Sequence, residues 1–165
     1  RPNEIDGVDY HFVSKEEFEK LIKQNNFYEH AKIFDNYYGT LKSTVINLLE
    51  QNKDVLFDID WQGTQQLKKI KDLSIVTIFI LPPDIKILKN RLLNRHKGEV
   101  TLIEKRMNKF NEELSHWNEY NYVVINDNLD VCYDKILKII KSEKNGIKLK
   151  QNSIEIKSKI KELTK

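Results

Sequence analysis

The 165-residue sequence predicts a single α/β domain built around a parallel sheet with helices on both faces. Three observations favour this class. Short apolar runs typical of buried strands alternate with segments of helical periodicity. The length suits one domain with a hydrophobic core and is short for two. One apolar run, residues 53–60, ends on two carboxylates, at the end of a strand where open α/β sheets place their ligand crevice.

Composition narrows the class of protein. Charged residues make up 32% of the chain and the net charge is only +3, which indicates a solvated surface rather than a nucleic-acid or membrane footprint. No apolar stretch approaches the ~20 residues that cross a bilayer and there is no leader pattern, so a cytoplasmic setting is expected. Cys132 has no disulfide partner and fits a buried helical position, while His11 and His30 lack a third zinc ligand. The chain starts at Arg1, which leaves a missing amino-terminal piece open.

The first elements follow from caps and periodicity. Ser14 and Glu17 form a capping box ahead of Phe18 and Leu21, so a helix is predicted to begin there. The pattern then predicts a strand over residues 27–34, a turn over 35–40 and a helix over about 41–50.

The remaining elements repeat the alternation of strand and helix. Residues 53–60 are predicted as a buried strand, and a helix begins near Trp61 and runs through residues 67–71. Pro82 and Pro83 stop the next strand. The later segments are a strand over 75–81, helices over 84–95 and about 101–118, a strand over 122–125, a helix over 129–142 and, from about Asn145, a lysine-rich solvated helix or frayed tail.

Asp58 and Asp60 are the most informative pair of polar residues. Side chains two apart on a strand project to the same side, so both carboxylates are expected to face the crevice at its carboxyl end. Two acidic groups there suit a magnesium nucleotide or a base that donates N–H groups. The alternative is that they cap the helix beginning near Trp61.

Other polar residues carry similar pairs of interpretations. Glu29 lies in a strand-like run, where a half-buried carboxylate could accept two N–H groups from a guanine edge; otherwise it faces outward. Arg1 and Tyr10 in the opening loop could bind a phosphate, or the loop is merely polar. Arg95 and Arg106, with Arg91, flank a glycine-containing break that suits a mobile lid over phosphates; otherwise they lie on solvated helix faces.

The order of these segments, from Arg1 to about Ser142, resembles the guanylate kinase family, which transfers a phosphoryl group from ATP to GMP. The stretches that carry the resemblance are Arg1-Pro2 through Gly7-Val8-Asp9-Tyr10-His11-Phe12-Val13-Ser14, then Asn36-Tyr37-Tyr38-Gly39-Thr40, Asp58-Ile59-Asp60-Trp61-Gln62-Gly63 and Val124-Ile125-Asn126-Asp127. The resemblance implies a P-loop NTPase-like nucleoside monophosphate kinase core with a small mixed GMP-binding subdomain and a helical lid. The corresponding parts are residues 1–51 for the GMP subdomain, 52–83 and 119–145 for the core, 84–118 for the lid and its flanking helices, and 146–165 for a basic tail.

The resemblance also implies roles for individual residues, with ATP and GMP as substrates and Mg²⁺ accompanying ATP. Arg1, Tyr10 and Tyr38 would hold the GMP phosphate. Glu29, Thr40 and Asp60 would distinguish guanine from adenine. Asp58 would serve the magnesium and phosphate centre through water, Arg95 and Arg106 would contact the transferred phosphate, and Asn126 would lie near the adenine of ATP. Neither nucleic acid nor membrane is an expected partner, and a homo-oligomer stays open.

Two features depart from the family pattern. None of the five glycines is followed by lysine, so these 165 residues contain no G-x-x-x-x-G-K-[ST] phosphate loop, and negligible turnover is expected of the chain as written. The lid reads Arg95-His96-Lys97-Gly98-Glu99-Val100 instead of the usual arginine-glycine start. The alternative function is a non-catalytic guanylate-kinase-like binding module, and a weaker one is a kinase for another nucleoside monophosphate.

Overall fold

The computed structural model describes residues 4–95 and 99–164. Its helices and strands are α1 (Lys15–Lys23), β1 (Phe27–Ile33), β2 (Asn36–Leu41), α2 (Lys42–Glu50), α3 (Trp61–Leu67), β3 (Ile78–Leu81), α4 (Ile85–Arg95), α5 (Val100–Ser115), β4 (Tyr122–Ile125), α6 (Leu129–Lys144) and α7 (Ser153–Leu163). A 3₁₀ turn, Trp117–Glu119, precedes β4. The chain forms two compact units, residues 1–73 and 74–165.

The first unit is an antiparallel hairpin with helices around it. The predicted cap is confirmed, because the Ser14 hydroxyl accepts a hydrogen bond from the Glu17 N–H at 3.1 Å where α1 begins. The predicted turn over residues 35–40 is wrong: β2 runs through most of it and pairs with β1. Phe34, at a positive φ of 56°, turns the chain instead, and the tyrosines and threonine of β2 favour an extended strand. Phe18 of α1 stacks on Phe27 of β1 with ring centroids 4.6 Å apart.

Residues 53–60 do not form the predicted buried strand. The segment alternates, with Val55, Phe57 and Ile59 half-buried while Leu56 is 86% exposed. It makes no β ladder with any part of the chain that the structure describes. A strand requires a hydrogen-bonded neighbour, so apolar alternation alone leaves this segment extended and irregular. The helix that follows begins at Trp61 as predicted and ends at Leu67, earlier than expected.

The second unit contains a parallel strand pair, β3 with β4, in register from Ile78 opposite Tyr122 to Leu81 opposite Ile125. Alternate residues of β4 point to opposite faces. Two apolar clusters therefore lie on its two sides, one made of Tyr122, Val124, Cys132 and Ile139, the other of Leu81, Leu114, Val123 and Leu163. Helix α6 supplies the first cluster, and α5 and α7 supply the second. Helices thus cover both faces of this pair, and Cys132 is buried as predicted.

The expectation of a solvated helix or a frayed tail after residue 145 is partly right, because α7 is a helix and most of its residues are exposed, but one stripe of it is packed. Leu163 is only 2% exposed, and Ile156 and Ile160 pack against the same cluster. These positions are spaced four and three apart, so they form one stripe of the helix while the lysines between them lie elsewhere on its surface. The Gln151 side chain fixes the approach to α7 by bonding both main-chain groups of Val123. Among the described helices, none is long and apolar enough to cross a membrane.

Candidate functional site

Glu29 is a carboxylate inside the hairpin of the first unit. It is 3% exposed, and Thr40, directly opposite on β2, donates its hydroxyl to Glu29 Oε1 at 2.6 Å. Between Phe27 and Glu29 strand β1 advances two residues while β2 advances one. Such a bulge re-aims the side chain that follows it. The outward-facing alternative for Glu29 is therefore wrong.

The surroundings of Glu29 shift its protonation. Burial raises the pKa of the Glu29 carboxyl above its ordinary value of 4.5, the Thr40 hydrogen bond opposes that shift, and the negative charge of Asp60 raises the pKa further. A buried acidic side chain without a cationic partner destabilises a fold, because its charged form loses hydration. Such a group favours a ligand that supplies further hydrogen-bond donors beside those of Thr40.

Asp60 shows that the capping alternative applies to one of the two carboxylates. Its Oδ1 accepts hydrogen bonds from the main-chain N–H groups of Gln62 at 3.0 Å and Gly63 at 3.1 Å, which fixes the start of α3. The Gln62 side chain donates to Oδ2 at 3.1 Å. Asp58, two residues earlier, is exposed, whereas Asp60 is half-buried. Because no strand forms here, the shared strand face predicted for the two carboxylates is not present.

Two residues of α3 complete the surroundings of Glu29, and the sequence reasoning assigned neither of them a role. A Cβ atom on Gly63 would lie 2.7 Å from Glu29 Oε2, so only glycine lets the helix approach the carboxylate this closely. One turn later, the Gln66 amide bonds both the N–H and the C=O of His30, the residue after Glu29. No local sequence pattern marked Gln66, because its contact is with a strand residue 36 positions away.

Tyr10 and Tyr38, two of the residues that the resemblance assigns to the phosphate, lie together. Their ring centroids are 5.7 Å apart with the rings edge-on, and both side chains are exposed. Tyr10 follows a turn that Asp6 and Asp9 hold by accepting main-chain N–H groups. Arg1, the third residue assigned to the phosphate, lies outside the described residues.

The second unit carries the other predicted site residues. Arg95 ends α4 and is exposed, Arg106 lies half-buried within α5, and residues 96–98 of the lid are outside the described ranges. Asn126 follows β4 and extends its ladder, since its N–H donates to the Leu81 carbonyl at 2.8 Å. Arg91 donates to the Asn126 carbonyl at 3.0 Å. In this unit, then, Arg91 fixes the segment that holds Asn126.

The chemistry offered by the first unit is hydrogen-bond acceptance at a largely dry position. Two carboxylates, Glu29 and Asp60, lie close enough for the charge of one to raise the pKa of the other. Acceptors of this kind bind planar N–H donors such as those on the edge of a base. Within residues 4–95 and 99–164, no group of three metal-ligating side chains is present.

Three comparisons with known proteins all find similarity to guanylate kinases. The family model described as Guanylate kinase matches residues 1–143. The guanylate kinase of Rickettsia bellii is 51% identical over 144 residues, which are 87% of this chain and 75% of that relative; that of Paramagnetospirillum magneticum is 44% identical over 87% of this chain and 67% of the relative. The crystal structure of guanylate kinase from Anaplasma phagocytophilum is similar with a TM-score of 0.69 and 31% identity, over 92% of this chain and 71% of that one.

Proposed function

Since the chain belongs to the guanylate kinase family, whose activity is the transfer of a phosphoryl group from ATP to GMP, we propose that the hairpin and α3 of its first unit bind the guanine of GMP. The observation that carries this proposal is the buried carboxylate of Glu29. Guanine presents N–H donors at N1 and N2, where adenine presents an acceptor at N1 and no amino group at C2. A site with a buried acceptor left unpaired loses about 1 to 3 kcal/mol of binding, which is enough to reject adenine.

In this pocket Thr40 orients the Glu29 carboxylate, and Asp60 contacts the base directly. Because the Thr40 hydroxyl already donates to one oxygen of Glu29, it orients the carboxylate before the ligand arrives. Asp60 is held in place by its bonds to the start of α3 and accepts a further donor from the base edge. The expected consequence is a rigid, selective pocket for the base.

The GMP phosphate is assigned to Tyr10 and Tyr38, together with Arg1. Phenol hydroxyls donate to phosphate oxygens, and an arginine adds charge-assisted, bidentate contacts. The proximity of the two exposed rings supports this assignment. In the second unit, Arg95 and Arg106 are assigned to the transferred phosphoryl group, where positive charge stabilises the equatorial oxygens. Asn126 is assigned to the adenine of ATP.

The donor set fits a magnesium ion that arrives with ATP. Mg²⁺ keeps several waters and binds phosphate oxygens with only one or two carboxylates, so a cluster of protein ligands is not required. Asp58 is an exposed carboxylate suited to hold such an ion through water. When bound, Mg²⁺ neutralises charge on the phosphates, while the residues of this chain align GMP and exclude adenine.

The catalytic assignment is preferred over a non-catalytic binding module, because relatives named guanylate kinase are 44 to 51% identical over most of the chain. We also propose that the 165 residues by themselves turn over negligibly, since they contain no phosphate loop to cradle ATP. The test is a calorimetric titration with GMP beside an assay of GMP-dependent ADP formation with ATP and Mg²⁺. GMP binding without ADP formation is the expected result. Sustained GMP-specific turnover would contradict the second proposal, and failure to bind GMP would contradict the first.

A further inference from the structure

Gln66 makes an unusual double contact with strand β1. Its Oε1 accepts from the His30 N–H at 3.1 Å and its Nε2 donates to the His30 carbonyl at 2.8 Å. Its Nε2 also donates to the Gln62 carbonyl, one turn earlier on the same helix, at 3.2 Å. One side chain therefore joins α3 to the main chain of β1 next to Glu29, in the manner of a short additional strand.

Helix α3 approaches Glu29 with three successive features, each about one turn apart. Asp60 caps the helix, Gly63 leaves space 2.7 Å from Glu29 Oε2 that a Cβ would fill, and Gln66 holds the strand. Gly63 lets α3 come close to Glu29 but does not hold it there, because glycine has no side chain to attract the carboxylate. The Gln66 amide contributes a direct hydrogen-bonded attraction that holds α3 against β1 beside the carboxylate.

We propose that Gln66 is a positioning residue for guanine selectivity. Its two hydrogen bonds set the separation between the Glu29 carboxylate on β1 and the Asp60 carboxylate on α3, and so the match of both acceptors to the base. This inference rests on the proposed function, because it assigns guanine recognition to that pair. Gln66 acts through Glu29 and Asp60 and does not itself touch the base.

Gln151 in the second unit provides a matched control for the Gln66 substitution. Gln151 accepts from the Val123 N–H at 2.9 Å and donates to the Val123 carbonyl at 2.8 Å, the same double contact on a strand to which no guanine-reading residue is assigned. Methionine is close to glutamine in length and lacks its donor and acceptor. Gln66→Met and Gln151→Met therefore remove the same pair of strand bonds from two different places, and Gln66→Met also removes the bond to the Gln62 carbonyl.

The experiment measures the dissociation constants of GMP and of inosine monophosphate, which lacks the 2-amino donor, by calorimetry on the wild type and both variants, with thermal unfolding in parallel. Gln66→Met is expected to weaken GMP binding by about tenfold, the value of one well-made hydrogen bond, and to lower the preference for GMP over inosine monophosphate. Gln151→Met is expected to leave both constants unchanged.

Two results would overturn the inference while leaving the proposed function intact. One is wild-type GMP affinity and selectivity in Gln66→Met. The other is a smaller fraction of binding-competent Gln66→Met protein with an unchanged dissociation constant, which is the outcome of a purely structural role. A wild-type protein that binds no GMP would overturn the proposed function and this inference with it.

Discussion

The two units of the molecule share one type of side-chain contact with a strand but bury chemically different groups beside it. In each, a glutamine side chain bonds both main-chain groups of a strand residue, Gln66 on His30 and Gln151 on Val123. Beside the first contact lies the buried carboxylate of Glu29, whereas beside the second lies an apolar cluster that includes Leu163. Apolar burial stabilises the fold, and burial of a carboxylate opposes it. The glutamine contact is the same in both units, so the buried carboxylate is what distinguishes the candidate site.

The largest expected effect removes apolar burial from the second unit. Leu163→Ala deletes a side chain that is 2% exposed, and a cavity of this kind costs about 2 to 5 kcal/mol of unfolding free energy. Trp117 packs against the same cluster, so its fluorescence during urea unfolding, in a Trp61→Phe background, reports the loss. GMP affinity should not change. An unaltered unfolding curve would show that α7 adds nothing to this core.

The corresponding change in the first unit should alter binding more than stability. Glu29→Gln puts an amide donor where the base also donates, so GMP affinity should fall about 100-fold, as two poorly matched buried groups imply. ATP affinity should change far less. Glu19→Gln, an exposed carboxylate on α1, is the control and should bind GMP normally. Equal GMP affinity in wild type and Glu29→Gln would contradict the role assigned to Glu29.

A smaller effect is expected where α3 approaches that carboxylate. Gly63→Ala places a methyl group 2.7 Å from Glu29 Oε2, and overpacking of this kind costs about 1 to 3 kcal/mol. The side chain of Glu29 must then shift, which weakens GMP binding as well. In the Glu29→Ala background the added methyl has room, so the stability cost of Gly63→Ala should largely disappear in a double-mutant cycle. Additive costs would place the clash elsewhere.

The smallest effect concerns pH. Burial raises the folded-state pKa of Glu29 above 4.5, so its contribution to stability is fully present below pH 4.5 and is lost as pH rises through the folded value. The stability of Glu29→Gln relative to wild type should therefore increase over that interval in urea titrations at a series of pH values. GMP affinity of the wild type should move the other way and fall as Glu29 becomes protonated. A pH-independent difference between the two proteins would refute the buried-charge account.

The sequence predicted local features of the fold better than long-range ones. Caps and periodicity located α1 at Ser14 and β4 over its four residues, because those signals are local. The strand expected over residues 53–60 failed, since pairing depends on a neighbour that no local pattern specifies. Site residues were assigned by motif and family resemblance, and the fold decided between a buried and an outward-facing Glu29 and revealed the contact of Gln66 with His30. Both depend on residues 11 to 36 positions apart in the chain.

The central claim is that a buried Glu29 makes the first unit selective for guanine. Calorimetric titration of the 165-residue chain with GMP and then with AMP tests it most directly, because neither ligand requires ATP or a phosphate loop. The account predicts GMP binding at least about 100-fold tighter than AMP binding, from two base donors that adenine lacks. Comparable affinities for the two nucleotides would contradict it.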